Sequence, residues 1–457
     1  MEYFFKKKPK DECGIFGISN DTNAANLTAL GLHALQHRGQ DSTGIVTSDK
    51  INFFAHRGMG QVSEVFSNSK LLETLKGSIS IGHNRYGTTG ESALKNVQPL
   101  FSELNIGGIA IAHNGNLTNT NQLKEKLIRS GSIFQSTSDT EVILHLLSTS
   151  SGDLLERLTY ALNSINGAYS LLLMTIDKLI GVRDPFGIRP LVLGKYKNSY
   201  VLSSESCGLD IIGAELIRDV EPGEIIIIKE DKIQSIKPFN RTQLRPCLFE
   251  YIYFARPDSI LDKLAIHKSR IAIGRLLGEK MKDTWNCNDI DIIVPVPDTS
   301  ITFANGIQDV INKPLREGLI RNRYIDRTFI MENFKMIRTN IRRKLSGIES
   351  VFKNRNVLIV DDSIVRGNTS RHIIEIARNF GAKKIYFGSC APIISNTNKY
   401  GINIPTKNEL ISYNRDESDI AEYLGVDYLI YNDLDKITQK LMEINSNFDG
   451  FETSMFL

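Results

Sequence analysis

Two acidic residues follow a short apolar run in the second half of the chain. The apolar residues 357–360 lead directly into Asp361 and Asp362, and a turn then enters a helix predicted to start near Thr369 or Ser370. Ligands of open parallel sheets bind outside the carboxyl ends of the strands. Backbone N–H groups at a helix start bind anions. Like charges repel, so the acids suit neutral hydroxyl groups or a metal. The stretch predicts a site for a sugar that also carries a phosphate.

The turn itself supplies groups suited to an anion. Ser363, Asn368 and Thr369 carry side chains that donate hydrogen bonds, and Gly367 lets a ligand approach the backbone closely. A simpler interpretation is that the two acids only cap the following helix. They stand too early for that, because a cap directly precedes the first helical residue.

A cysteine near the start of the chain is a second candidate for chemistry. Cys13 lies ahead of Gly14, and a cysteine acts as a nucleophile when a base takes its proton. His33 and His37 lie on a predicted helix, and no pairing with the thiol is evident. If the chain is cut between Glu12 and Cys13, the freed α-amine, with a pKa of about 7.7 to 8, is a base at neutral pH. The alternative is a buried core thiol.

The composition is that of an ordinary soluble globular protein. The 457 residues suffice for two or three domains, and 41% are hydrophobic and 23% charged. The net charge of +3 gives no overall field that would attract nucleic acid. No apolar run approaches the length of a membrane span, and the start lacks the apolar stretch of a secretory signal. We expect a cytoplasmic protein with neither nucleic acid nor a membrane as partner.

The cysteines are widely spaced, and no C-x-x-C occurs, which argues against a disulfide framework and a zinc site. The five cysteines are Cys13, Cys207, Cys247, Cys287 and Cys390.

The two halves of the chain differ in pattern. From about residue 13 to 240, short strands with Gly-rich and Asn-rich turns are interrupted by helices, which predicts an α+β layered domain. One helix follows a capping signal at Ser138 or Asp139. From about residue 262, continuous apolar strands alternate with helices, which favours a parallel sheet with helices on both faces. The junction is the segment 241–259.

The opening string resembles the binding motif of type I phosphoribosyltransferases, and "DDSIVRG" is similar to the amidophosphoribosyltransferase branch. The segments 250–259, 294–300 and 321–330 share that likeness. The resemblance implies that the acids hold the ribose hydroxyls of phosphoribosyl pyrophosphate (PRPP) and that the loop holds its 5-phosphate. The implied PRPP-binding residues are Asp361, Asp362, Ser363, Val365, Arg366, Gly367, Asn368 and Thr369.

The first half resembles a class II glutamine amidotransferase with an N-terminal nucleophile. "GHNRYGTTG" is similar to the loop that binds the glutamine carboxylate, "HNGN" to the oxyanion hole, "SDTE" to the loop for the α-amine, and "LQHRGQDSTG" is a further landmark. The resemblance implies catalytic Cys13, Asn114 and Gly115, and glutamine-binding Arg85, Asp139 and Arg38.

Together the two likenesses imply an α+β N-terminal-nucleophile sandwich followed by an α/β type I phosphoribosyltransferase domain. The expected reaction is glutamine-dependent amidation of PRPP to 5-phosphoribosylamine, glutamate and pyrophosphate, the first step of de novo purine biosynthesis. The implied enzyme is a homo-oligomer, a dimer or tetramer, inhibited by purine nucleotides. The expected units are a propeptide-like leader at 1–12, an amidotransferase domain at 13–245, a transferase domain at 246–440 and a tail at 441–457.

Pyrophosphate leaves poorly without charge neutralisation, so Mg²⁺ is expected. The implied ligands are Thr299, Asp361 and Asp362. The basic segment 321–344 is similar to the loop that closes over PRPP; a solvated basic face is the alternative.

One branch of the family carries a [4Fe–4S] cluster on four cysteines. Cys247 stands at the first ligand position, but Asn398 stands at the second, no cysteine follows Cys390, and the C-terminal C-x-x-C pair is missing. A cubane normally needs four ligands, so we expect no cluster.

Two other functions remain open at this point. Another class II amidotransferase, of the glucosamine-6-phosphate or asparagine type, would use a different synthase domain. A PRPP-sensing regulator would not need the cysteine, and no DNA-binding module is legible in the sequence.

Overall fold

The computed structural model describes residues 13–86, 93–321, 345–402 and 406–456. The first half contains two antiparallel sheets. The strands of the first sheet are β1 (Gly14–Ser19), β2 (Ser42–Ser48), β3 (Phe53–Met59), β4 (Ile79–Arg85), β9 (Val192–Tyr196), β10 (Ser199–Ser203) and β11 (Glu215–Asp219). Their order across the sheet is β11-β9-β10-β1-β4-β2-β3, which puts β1 in the middle.

The strands of the second sheet are β5 (Leu100–Leu104), β6 (Gly107–Leu117), β7 (Gly167–Met174), β8 (Leu179–Arg183), β12 (Ile225–Lys229) and β13 (Lys232–Ile236). Their order across the sheet is β13-β12-β8-β7-β6-β5. The helices of this half are α1 (Ala24–Ala34), α2 (Val62–Val65), α3 (Ser69–Thr74), α4 (Thr120–Arg129), α5 (Thr140–Thr149), α6 (Leu154–Ser164) and α7 (Cys207–Asp210).

The two sheets pack face to face, and helices cover their outer faces, because apolar side chains point alternately to the two sides of each strand. Ile15 of β1 is buried with Ala112 of β6 in the layer between the sheets, whereas the next residue, Phe16, packs with Leu32 of α1 on the outer face. On the other outer face, Ile111 packs under α5 and α6. The period of two therefore builds a four-layer sandwich, as predicted for the first half.

The second half is built on a parallel sheet of order β16-β19-β20-β21. Its strands are β16 (Ile292–Pro295), β19 (Asn356–Asp361), β20 (Lys384–Ser389) and β21 (Tyr428–Tyr431). The helices are α8 (Ile266–Thr284), α9 (Ile301–Ile311), α10 (Glu349–Phe352), α11 (Asn368–Asn379), α12 (Glu417–Leu424) and α13 (Leu434–Ile444). Two antiparallel strand pairs add β14 (Ile260–Leu261) with β15 (Leu264–Ala265), and β17 (Leu319–Arg321) with β18 (Leu345–Gly347).

Both faces of the parallel sheet are covered. Leu358 and Val360 of β19 lie in the core that includes α8 and α9, and Val357 and Ile359 lie in the core that includes α11 and α12. This confirms the predicted α/β architecture. No helix among the described residues is long and apolar enough to span a membrane.

α11 begins at Asn368, next to the start predicted near Thr369 or Ser370. α13 continues to Ile444. The tail beyond it returns to the junction, where the rings of Phe448 and Phe451 both meet Tyr251 edge-on. The described residues also form 3-10 turns at Gln36–Arg38, Leu94–Asn96, Cys287–Asp289 and Lys407–Glu409, and a π-helical turn at Glu250–Phe254.

Candidate active sites

Cys13 lies directly before the central strand β1, which fixes its backbone. The residue is 8% exposed, and its Sγ lies 3.8 Å from the carbonyl oxygen of Tyr86. Burial raises the pKa of the thiol to about 11, although the charges of Arg85 and Arg38 act in the opposite direction. A thiol with this pKa is a poor nucleophile at neutral pH without a nearby base. The geometry therefore leaves a role for the α-amine that chain cleavage would create.

Arg38 lies beneath the backbone of the cysteine and is itself buried. Its Nε donates to the Cys13 carbonyl at 3.3 Å, and its two terminal nitrogens bind Glu205 at 2.5 Å and Glu250 at 2.6 Å. Burial disfavours the charged guanidinium, but Glu250 and Glu205 outweigh that cost and raise the pKa of Arg38 above its usual value. The arrangement orients the residue that carries the thiol.

Arg85 and Asp139 approach the cysteine from different elements. Arg85 ends β4 and is buried, and its charge acts on the thiol. The rest of its predicted glutamine-carboxylate loop, residues 87–90, lies outside the described residues. Asp139 precedes α5, but its carboxylate does not cap that helix. It accepts the N–H of Leu117 at 3.0 Å, whereas Ser138 Oγ accepts the N–H of Thr140 at 3.3 Å.

The pKa of Asp139 lies below its ordinary value. Burial would raise it, but the neighbouring His113 and the N–H groups of Leu117 and Thr140 stabilise the carboxylate more strongly. The group is therefore an anion at neutral pH, as recognition of an ammonium group requires.

Asn114 and Gly115 lie on β6, in the sheet opposite the cysteine. The Asn114 side chain is fully buried, and within the part of the chain described here neither of its amide atoms has a hydrogen-bond partner. Gly115 has φ +145°, and a Cβ there would lie 2.0 Å from the carbonyl oxygen of Ala168. An unsatisfied buried amide costs about 1–3 kcal/mol. It is the kind of donor that a developing oxyanion can use.

One hydrogen bond joins the two sheets at this centre. His83 Nε2, on β4, lies 3.0 Å from the carbonyl oxygen of His113, the residue before Asn114. Burial lowers the pKa of His83 to about 3, so the ring is neutral and Nε2 can be the donor. The bond fixes the position of β6, with its oxyanion residues, relative to β4.

The second predicted site lies at the carboxyl end of β19. Asp361 and Asp362 are both buried. Thr299 Oγ1 donates to Asp362, Ser363 Oγ donates to the same carboxylate at 2.7 Å, and Ser300 Oγ donates to Asp361 at 3.4 Å. Two carboxylates and several hydroxyl groups thus converge at the strand end, where the sequence predicted the sugar site.

The turn after the acids leads into α11 through a glycine. Gly367 has φ +77° and is the N-cap of the helix, and a Cβ there would lie 2.4 Å from Ile411 Cδ1. Asn368 and Thr369 form the first turn of α11. Val365 is buried, and its carbonyl accepts the Ile411 N–H at 2.8 Å. The predicted anion cradle is thus a glycine turn at the start of a twelve-residue helix.

Arg366 projects from the same turn. Its Nε donates to Glu409 at 3.0 Å. The basic segment 321–344, predicted to close over the substrate, lies outside the described residues except for Arg321. The strands that flank the segment pair with each other, since Arg321 lies opposite Leu345.

The side chains at the end of β19 determine which metal ion this site could bind. Thr299, Asp361 and Asp362 offer hard oxygen donors of the kind that Mg²⁺ prefers. Within the described ranges, no group of three or more His, Cys, Asp or Glu side chains could hold a metal ion. Mg²⁺ is commonly bound by one or two carboxylates together with substrate phosphates. The donors present therefore fit a magnesium ion that arrives with a phosphorylated substrate.

The segments that hold Cys247, Asn398 and the C-terminal tail, where relatives with a [4Fe–4S] cluster are expected to carry its ligands, are in contact in this chain. The backbone of Cys247 pairs with Glu452, which belongs to the tail that replaces the C-x-x-C pair. Asn398 Nδ2 donates to Glu452 Oε2 at 3.1 Å. One thiol, one amide and one carboxylate do not fit a [4Fe–4S] cluster, which takes four thiolates. A direct hydrogen bond joins these segments instead.

Sequence reasoning missed the carboxylates that hold Arg38. Glu205 and Glu250 are 167 and 212 positions away from it, so no spacing rule could pair them. It also missed His113, whose Nδ1 lies 3.7 Å from Asp139 Oδ2, although the residue opens the "HNGN" string.

Comparison with known proteins matches both halves. A glutamine amidotransferase domain family matches residues 83–210, and a phosphoribosyl transferase domain family matches residues 262–399. The chain is 44% identical to the amidophosphoribosyltransferase of Pasteurella multocida, over 97% of this chain and 92% of that one. It is 41% identical to the amidophosphoribosyltransferase of Methanocaldococcus jannaschii, over 94% of each chain.

A solved structure shares the whole architecture. Glutamine PRPP amidotransferase from B. subtilis, complexed with ADP and GMP, superposes with a TM-score of 0.89 at 38% identity, and the match covers 97% of this chain and 95% of that one. The likeness thus spans both halves.

Proposed function

The chain belongs to the amidophosphoribosyltransferase family, and on that premise we propose that its two buried sites together convert glutamine and PRPP into 5-phosphoribosylamine, glutamate and pyrophosphate. This is the first step of purine biosynthesis. The observation that carries the proposal is the coexistence of two sets of groups in one chain. The first half holds a buried Cys13 and, on the opposite sheet, an Asn114 amide without a partner among the described residues. The second half holds Asp361 and Asp362 at a strand end before a helix start.

The first site releases ammonia. Cys13, with its own α-amine as base, attacks the side-chain amide of glutamine. Asn114 and the Gly115 N–H stabilise the negative oxygen of the tetrahedral intermediate. Ammonia leaves, and water hydrolyses the thioester to give glutamate. Arg85 binds the carboxylate of the substrate and Asp139 its ammonium group, which the lowered pKa of Asp139 supports.

Arg38 acts on the cysteine and not on the substrate in this proposal. Its guanidinium nitrogens engage the Cys13 carbonyl, Glu205 and Glu250. We therefore assign it to positioning the nucleophile.

The second site uses the ammonia. Nitrogen attacks C1 of PRPP, the bond from C1 to the pyrophosphate oxygen breaks, and pyrophosphate departs with inversion at C1. Asp361 and Asp362 accept hydrogen bonds from the ribose hydroxyls, while the turn Ser363 to Thr369 binds the 5-phosphate through backbone N–H groups. Bulk water would protonate free ammonia, so a path inside the protein between the sites is part of the proposal.

Charge neutralisation on the leaving pyrophosphate is the chemistry that a bound Mg²⁺ supplies. Thr299, Asp361 and Asp362 would hold the ion. Removal of divalent cations with a chelator should then stop pyrophosphate release with either nitrogen source.

Regulation and assembly follow the family in this proposal. A relative is complexed with ADP and GMP, which supports feedback inhibition of this chain by purine nucleotides. We also propose a cytoplasmic homo-oligomer, a dimer or tetramer.

Replacement of the cysteine tests the division of labour. Glutamate and pyrophosphate release are measured for the wild type and Cys13→Ala, with glutamine or with ammonium as nitrogen source. The proposal expects Cys13→Ala to lose the glutamine-dependent reaction and keep the ammonia-dependent one. Absence of pyrophosphate release by the wild type from both nitrogen sources would reject the proposed function.

A further inference from the structure

A chain of buried charges crosses from the first half of the molecule into the second. Arg189 lies in the loop between β8 and β9 and is fully buried. Its Nη1 lies 3.6 Å from Glu250 Oε1, and its Nη2 donates to the carbonyl of Tyr400. Glu250 also binds Arg38, which holds the Cys13 carbonyl. Charged contacts therefore connect the nucleophile to a loop that follows β20.

That loop packs on the strand that carries the oxyanion residues. Asn116 Nδ2 donates to the carbonyl of Lys399 at 2.9 Å. Gly401 has φ +109°, and a Cβ there would lie 2.9 Å from Arg189 Nη2 and 3.3 Å from the carbonyl carbon of Gly115. A side chain at residue 401 would therefore crowd both the Arg189 guanidinium and the Gly115 backbone, at a φ that residues other than glycine rarely adopt.

The backbone of Arg189 is held in place independently. Its N–H donates to Asp184 Oδ2 at 3.1 Å, and its carbonyl accepts Arg183 Nε at 2.8 Å. The guanidinium therefore starts from a fixed position. Its planar fork reaches a carboxylate on one side and a carbonyl on the other, which the single ammonium group of a lysine cannot reproduce.

We propose that Arg189 is a positioning residue of the glutaminase centre, which fixes both the Cys13 backbone, through Glu250, and the Gly115 backbone, through the Lys399 to Gly401 loop of the second half. The inference rests on the proposed function, since it assigns Arg189 to the glutamine reaction alone.

The test compares three variants in the full-length protein. Arg189→Lys removes the fork and keeps the charge. Gly401→Ala keeps the arginine but places a Cβ against both its Nη2 and the Gly115 backbone. The matched control is Arg157→Lys, because Arg157 is also a buried arginine that binds carbonyls in the first half, at Gly152 and Leu147.

Steady-state kcat and KM are measured with glutamine and with ammonium, and thermal unfolding is followed for each variant. We expect Arg189→Lys and Gly401→Ala to lose roughly 10- to 100-fold in glutamine-dependent kcat, the scale of a misplaced catalytic group. Ammonia-dependent kcat should stay within about twofold of the wild type, and Arg157→Lys should leave both nitrogen sources unaffected.

A parallel fall with both nitrogen sources in Gly401→Ala would overturn the positioning role and indicate a general structural one. Unchanged glutamine-dependent kcat in Arg189→Lys would overturn it as well. Neither result would touch the proposed function, which fails only if the wild type itself releases no pyrophosphate.

Discussion

Asn114 gives the most discriminating prediction, because its amide is buried and, among the described residues, has no hydrogen-bond partner. We consider Asn114→Leu, which keeps the approximate size of the side chain and removes both polar atoms. The substitution should remove no stabilising hydrogen bond from the protein without substrate, because the Asn114 amide makes none among the described residues. An unsatisfied buried polar group costs about 1–3 kcal/mol, so its removal should leave the free energy of unfolding unchanged or raise it by up to that amount.

Catalysis should respond in the opposite direction. Loss of one oxyanion donor costs about 10²- to 10³-fold in kcat, or about 2.7–4 kcal/mol of transition-state stabilisation. The glutamine-dependent reaction should fall by that factor with little change in the glutamine KM, because the contact forms only in the transition state. The ammonia-dependent reaction should persist at the wild-type rate.

The assay pairs thermal unfolding with steady-state rates from both nitrogen sources. Asn114→Ala serves as a second variant, which leaves a small cavity and separates lost volume from lost polarity. The reasoning is refuted if Asn114→Leu keeps its glutamine-dependent kcat within about threefold. It is also refuted if the same variant unfolds well below the wild-type temperature, since the amide would then have a stabilising partner.

Three further predictions follow from the two sites. Gly115→Ala should destabilise the protein by roughly 1–3 kcal/mol or more and remove glutamine-dependent activity. The reason is that the new Cβ would lie 2.0 Å from the Ala168 carbonyl oxygen, in a backbone with φ +145°. Unfolding curves and glutamine-dependent rates check this, and wild-type values for both would contradict it. In protein that retains residues 1–12, alkylation of Cys13 should be slow at pH 7.5 and accelerate about tenfold per pH unit, up to the thiol pKa of about 11. A chain that begins at Cys13 should be alkylated faster at pH 7.5. Equal alkylation rates at that pH would count against the role of the α-amine. Asp362→Asn should reduce pyrophosphate release by roughly 100-fold or more with glutamine and with ammonium alike, because both nitrogen sources react at the second site. A loss confined to the glutamine-dependent reaction would show that Asp362 does not act in that site.

The sequence predicted best the features that depend on neighbouring residues. The strand β19, the acids at its end and the glycine turn into α11 are continuous in the chain, so apolar pattern and turn chemistry specify them together. α11 begins at Asn368, next to the start predicted near Thr369 or Ser370, because Gly367 adopts positive φ and serves as the N-cap. Asp139 was predicted as a possible cap, but its carboxylate binds the Leu117 N–H instead, since β6 passes beside it.

Contacts between distant parts of the chain could not be predicted from spacing. Arg38 looked like one charge in a family motif, and only the fold brings Glu205 and Glu250 to it. Arg189 likewise meets Tyr400 across 211 positions. Such pairs form because a buried guanidinium needs compensating charge and acceptors, and a sequence pattern does not say from which element they come.

The position of Glu250 limits how the two catalytic modules can be separated. Arg38 belongs to the first half, whereas Glu250 lies in the π-helical turn Glu250–Phe254, beyond the expected boundary at residue 245. A gene cut at that boundary would leave a buried cation with one carboxylate less, and such a loss costs about 3–5 kcal/mol. An engineered glutaminase fragment, or a chimera that borrows this glutaminase for another synthase, should therefore carry its breakpoint after Phe254.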